Sequence, residues 1–144
     1  MAVDLNAIHR ALAAKILVGM ARDTNVNPFP VPPDIYPSIT IYPGTPYLDF
    51  FSTFGPNGTA DMKLRVKIEV DGDAESCAIK LCAYLGIGDT NTSSVPDAIN
   101  TPPRTLGGLV ADCVALTAEW DAEAATGTAW VDVLIYLSKT NARV

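Results

Sequence analysis

The sequence predicts an α+β fold: a mostly antiparallel sheet of about four to five strands with two helices packed on one face. Three observations predict it. From Asp61 to Val70 polar and apolar residues alternate without a miss, the period-two signature of a strand buried on one side. Met62, Leu64, Val66, Ile68 and Val70 fall on the apolar side, and Asp61, Lys63, Arg65, Lys67 and Glu69 on the other. Near the N-terminus Leu5, Ile8, Leu12 and Ile16 recur at three- and four-residue spacing, one stripe of a helix and the natural cover for that strand. The order of patterns along the chain, helix, three strands, helix, two strands, then gives helices on one face of a sheet.

Length and composition bound the function. A chain of 144 residues forms one domain spanning residues 1–144, and 49% hydrophobic against 18% charged residues describes a folded chain. No apolar run approaches the ~20 residues that span a bilayer. Asp4 also stands where a signal peptide would carry basic residues, so a soluble, unprocessed product with no membrane partner is expected. The net charge of -6 argues against a groove that grips phosphate backbones, though not against a surface past which DNA slides. Cys77, Cys82 and Cys113 lack a metal-ligand spacing and are expected as reduced thiols packed in the core.

Taken in order, Asp4 caps the first helix, which runs to about Gly19 or Arg22. His9, the single histidine, lies beside its apolar stripe. With no positioned partner in view it reads as structural or interfacial, so replacement by Gln should be nearly silent. Between Pro28 and Pro46 seven of the eleven prolines exclude helix, and Ser38 to Tyr42 is the part free to pair as a short strand. Tyr36, Tyr42, Tyr47, Phe50, Phe51 and Phe54 crowd this region. They either pack locally or form a rigid aromatic contact with another subunit. Tyr47 to Thr53 forms a second strand, and Gly55-Pro56-Asn57-Gly58 turns it into the alternating strand.

Asp73 caps a second helix with Ala74, Cys77, Ala78, Leu81 and Leu85 on one face, closed by Gly86. Ser94 to Ile99 reads as a single helical turn begun by a serine. Leu109 to Trp120 reads as a strand with Val110, Val114 and Leu116 on one face, and Ala129 to Lys139 as the last strand with Val131, Val133, Ile135 and Leu137 inward. The segment from Asp121 to Thr128 joins them as a hairpin tip.

No catalytic grouping emerges. There is no Ser-His-Asp set around His9, no phosphate loop and no metal motif, so neither catalytic residues nor a cofactor are expected. Asp112, Glu119, Asp121, Glu123 and Asp132 gather in the C-terminal hairpin as solvated or interface charges, with Asp121 and Glu123 the interface candidates.

The succession of pieces carries a resemblance. An amphipathic helix and a proline-rich entry lead to Pro46-Tyr47-Leu48-Asp49-Phe50, Phe54-Gly55 and the alternating strand. A helix, Ser94-Val95-Pro96-Asp97-Ala98-Ile99, Thr105-Leu106-Gly107-Gly108 and a closing hairpin follow. Over nearly the whole chain this layout resembles small tail proteins of actinobacterial siphophages, the tail-terminator family and its neighbours in the neck. The resemblance implies a structural virion protein without enzymatic activity, assembled in the host cytoplasm. It implies a ring, usually of six copies, that caps the tail tube, ends its polymerisation and joins it to the head-completion or connector protein while DNA passes through the lumen. Such a ring needs heterologous contacts that close by rotation, and an acidic lumen would let the genome pass without sticking. A head-closure, connector or tube protein of the same virion is the alternative, and a small cytoplasmic enzyme or ligand-binding domain the reading from another class.

Overall fold

The computed structural model describes residues 4–20, 25–32, 35–49, 59–86, 94–121 and 127–138. In chain order the elements are α1 (Leu5–Gly19), β1 (Asn25–Asn27), β2 (Ser38–Asp49), β3 (Thr59–Val70), α2 (Ala74–Leu85), α3 (Val95–Asn100), β4 (Asp112–Asp121) and β5 (Gly127–Ser138). Strand order is β1-β2-β3-β5-β4; β1 pairs with β2 in parallel and every other pair is antiparallel. The fold is α+β, as the patterns of β3 and α1 indicate.

The alternation in β3 decides the architecture. Met62, Leu64, Val66, Ile68 and Val70 are all buried and meet Ile39 and Ile41 of β2 and Val131, Val133 and Ile135 of β5 on one side of the sheet. Ile8, Leu12 and Ile16 of α1, Cys77, Leu81 and Tyr84 of α2, and Val95 and Ile99 of α3 join them in one apolar cluster. Each aliphatic side chain so enclosed contributes about 1.5–3 kcal/mol relative to an exposed one.

The helices start where the sequence offers caps. The Asp4 carboxylate accepts from Ala7 N–H at 3.0 Å, Asp73 from Ser76 N–H at 2.8 Å, and the Ser94 hydroxyl oxygen from Asp97 N–H at 3.2 Å. Gly86 ends α2 in the left-handed region, at φ 80°, where a side chain would be strained. At the other end of α2, a Cβ on Gly127 would lie 2.5 Å from Cys77 Cβ, so the helix rests on β5 where the strand has no side chain.

Four sequence expectations are corrected. Ser38 to Asp49 is one strand rather than two, because β2 continues through Pro43 and absorbs the proline-containing stretch as a register shift between Pro43 and Leu48. The additional strand before α2 is Asn25–Asn27, too short to leave a periodic signal. Within β4, Val114 and Leu116 do not share the core face with Val110. Val114 pairs with Leu134 one step out of phase with the Cys113–Ile135 pair, and Leu116 falls in a bulge between Ala115 and Thr117, 57% exposed. Cys77 and Cys113 are buried, but Cys82 is exposed, since the inward stripe of α2 continues from Leu81 to Tyr84. The expected strand beyond Asp49 and the turn at Gly55–Gly58 lie outside the described residues.

Candidate interaction surface

The side of the sheet away from the helices carries a connected set of polar and aromatic side chains, placed by the period of two. β2 contributes Tyr42, β3 Arg65 and Lys67, β5 Trp130 and Asp132, and β4 Thr117 and Glu119. Register makes Arg65 a neighbour of both Tyr42 and Asp132, and Lys67 a neighbour of Trp130. Arg65 Nε donates to Asp132 Oδ1 at 2.8 Å and a terminal nitrogen donates to Glu119 Oε2 at 3.2 Å, while Thr117 Oγ1 donates to Asp132 Oδ2 at 3.0 Å.

The same guanidinium sits 4.6 Å from the Trp130 ring centroid, and Lys67 Nζ lies 5.4 Å from Trp130 and 5.7 Å from Tyr42. Tyr42 meets Trp130 edge-on with centroids 5.4 Å apart. Cation–aromatic and ionic contacts thus cross β2, β3, β5 and β4 in one lattice. Partly exposed pairs of this kind add little stability, about 0–1 kcal/mol each, but they hold long side chains in fixed positions.

The bulges in β2 and β4 flank an open groove of about 400 Å³ on this side, bordered by Gly44, Lys63, Leu116, Thr117 and Leu134. A Cβ on Gly44 would come within 2.9 Å of the Lys63 carbonyl oxygen, so the strands approach this closely only with glycine there.

A second polar constellation lies among the helices. His9 is 4% exposed, with Nδ1 2.8 Å from the Pro28 carbonyl oxygen and Nε2 2.8 Å from the Tyr47 hydroxyl. A carbonyl oxygen only accepts, so Nδ1 donates to it, while Nε2 shares its hydrogen bond with the Tyr47 hydroxyl, which can donate or accept. Phe29 stacks on the imidazole with centroids 4.9 Å apart, and the Arg10 guanidinium lies 5.6 Å from the Phe29 centroid. Burial pushes the Tyr47 phenol above its usual pKa. The histidine therefore has the positioned partners that sequence reading did not find, but its enclosure leaves a substrate no approach. It ties α1 to the segment after β1 and to β2.

The expected interface residues are divided. Tyr42 belongs to the lattice, Tyr47 turns toward His9 and the helices, and Tyr36 is half-buried just ahead of β2. Asp121 ends β4, half-buried. Phe50, Phe51, Phe54 and Glu123 lie outside the described residues. Of the hairpin carboxylates, Glu119 and Asp132 bind Arg65, and Asp112 binds Arg104 at 3.0 Å. Among the described residues no three His, Cys, Asp or Glu side chains gather to hold a metal ion, and no helix is long and apolar enough to cross a membrane.

No protein-family model matches the chain, and no curated protein matches it.

Proposed function

We propose that the chain is a structural subunit of a bacteriophage tail, a terminator that forms a ring of about six copies, caps the tail tube and ends its growth, and carries no active site. In this reading the ring also receives the head-completion or connector protein, and DNA passes through its lumen unbound. The observation that carries the reading is the contrast between the two sides of the sheet. One side is covered by helices except at Ala118 and Trp120 of β4, which are exposed. The other holds the lattice of Tyr42, Arg65, Lys67, Trp130, Asp132 and Glu119, whose charges are largely paired within the subunit. A fixed, aromatic, internally neutralised surface suits attachment to another protein better than turnover of a small molecule.

The acidic balance of the chain supports the lumen assignment, since like charge keeps phosphate backbones from adhering. The test is tube growth. Added to the tail-tube protein of the same virion during polymerisation, the chain should bind tube ends and stop elongation, with electron microscopy showing one disc per end. Incorporation along the tube would mark a tube subunit, and binding only to the connector would mark a neck protein. Unchanged tubes with no bound chain, or turnover of a substrate, would end the proposal.

A further inference from the structure

Of the three cations that β3 sets on the open side, two have counter-charges within the subunit. Arg65 binds Asp132 and Glu119, and Lys67 Nζ lies 3.4 Å from Glu69 Oε1. Lys63 is the third, exposed and with no ion pair or hydrogen bond among the described residues. Its place in the ladder explains why. On β5 its register partner is Leu134, which offers no counter-charge. On β2 the register jumps from the Pro43–Leu64 pair to the Leu48–Met62 pair, so Lys63 has no partner there.

The groove of about 400 Å³ between the two bulges holds this residue in its lining, and it is large enough to take side chains from a partner. Gly44 forms the β2 wall, where a Cβ would lie 2.8 Å from Lys63 Cβ. Leu116, set in the bulge of β4 and 57% exposed, forms the other wall, with Leu134 on the strand between. Arg65 and Asp132 also line the groove, but as a bonded pair they cancel. The groove therefore keeps a single positive charge, that of Lys63, on a chain whose own balance is -6.

We propose that this groove receives an acidic residue of a partner protein, with the carboxylate on Lys63 and an aliphatic side chain next to it in the partner's sequence against Leu116 and Leu134. The charges select this occupant. A phosphate backbone would carry its row of charges past Lys63 onto Asp132 and Glu119, whereas a single carboxylate brings its charge only as far as the ammonium. A partly exposed ion pair is weak alone, so the aliphatic contact supplies affinity and Lys63 the choice of partner. This gives the attachment surface described above a partner chemistry; it rests on the tail reading only for the partner's identity, and its own test needs no tube.

That test is methyl NMR of the full chain titrated with an acetylated, amidated Leu-Glu-Leu tripeptide and with the same peptide carrying Gln in the middle. The Glu peptide should shift the Leu116 and Leu134 methyl signals saturably. The Gln peptide, or the Glu peptide added to Lys63→Gln, should bind about threefold more weakly, and Lys63→Arg should bind as the unaltered chain does. Position 63 is exposed, so these variants keep the fold. No shift at those two leucines, equal binding of both peptides, or full binding by Lys63→Gln would overturn the site. So would a preference for a short DNA duplex, or the same shifts on concentrating the protein alone, which would make a second copy the occupant. Tube binding that Lys63→Gln leaves unchanged would overturn this contact and leave the tail reading standing. Peptide recognition without tube binding would do the reverse.

Discussion

The Tyr47 hydroxyl and His9 Nε2 are 2.8 Å apart, and the opposite ring nitrogen is held by the Pro28 carbonyl at the same distance. One imidazole thus joins α1, the segment after β1 and the far half of β2. Gln in place of His9 cannot reach both partners with the same geometry and loses the stacking on Phe29. His9→Gln should therefore cost about 1–3 kcal/mol in urea unfolding, because a buried carbonyl or hydroxyl is left unpaired. Tyr47→Phe should cost less, about 1 kcal/mol, since it removes one bond and keeps the ring. A silent His9→Gln would show that the bridge contributes nothing.

Gly127 tests the seating of α2. Its missing Cβ would meet Cys77 Cβ at 2.5 Å, Cys77 Sγ at 2.7 Å and Val70 Cγ2 at 2.8 Å. Gly127→Ala must push the helix away from the sheet and should destabilise the fold by about 1–3 kcal/mol, read from the denaturant midpoint. Pairing it with Cys77→Ala should recover part of that loss by relieving the sulfur contact.

The three thiols should separate by reactivity. Cys82 is exposed and should react with a thiol reagent in the native protein, whereas Cys77 and Cys113 should react only on unfolding. Burial pushes the Cys113 thiol from the ordinary 9.0 up to about 12. Below pH 9 the thiol is protonated folded or unfolded, and its contribution to stability is whole. Between pH 9 and about 12 the unfolded chain ionises first, so that contribution is lost as pH rises.

Tyr47, also raised by burial, acts in the same direction above its usual 10.0. Lys15, lowered mainly by burial while it donates to the Ile99 and Pro103 carbonyls, opposes them: its contribution rises between its lowered value and 10.5. Urea midpoints measured from about pH 8 to 11 should fall overall, and Cys113→Ala should make the fall shallower.

What the sequence made legible follows from how far each residue's placement depends on its own neighbours. The β3 alternation and the α1 stripe are local patterns repeated over several turns or pleats, and both appear in the structure with the expected faces buried. The caps at Asp4, Asp73 and Ser94 are likewise local. The phase of β4 is not, because a bulge at Leu116 turns the later residues over without altering their hydrophobicity. Nor is the partnership of His9 with Tyr47, 38 residues away, which depends on where β2 lies over α1. The open-face lattice was half visible. The alternation of β3 sets its charges on the outer side, but Trp130 as the ring between Arg65 and Lys67 depends on the register of β5.

Arg65 is the joint of that lattice. Arg65→Ala should cost under about 1 kcal/mol of stability, since its ion pairs are partly exposed. It should nevertheless weaken tube binding, because Asp132, Glu119 and Trp130 lose the group that fixes them. Arg65→Lys should not restore binding, as an ammonium cannot span two carboxylates and cover an indole as a guanidinium does. Equal binding by all three proteins would remove the lattice from the attachment surface.

The proposed role is that of a closed ring on a tube end. The most direct measurement is the native mass of the complex recovered from purified tube ends, by mass spectrometry under non-denaturing conditions. A closed ring gives one discrete assembly of about six subunits, unchanged as more protein is added. A monomer at every concentration, or a continuous series of lengths without a closed species, would contradict it.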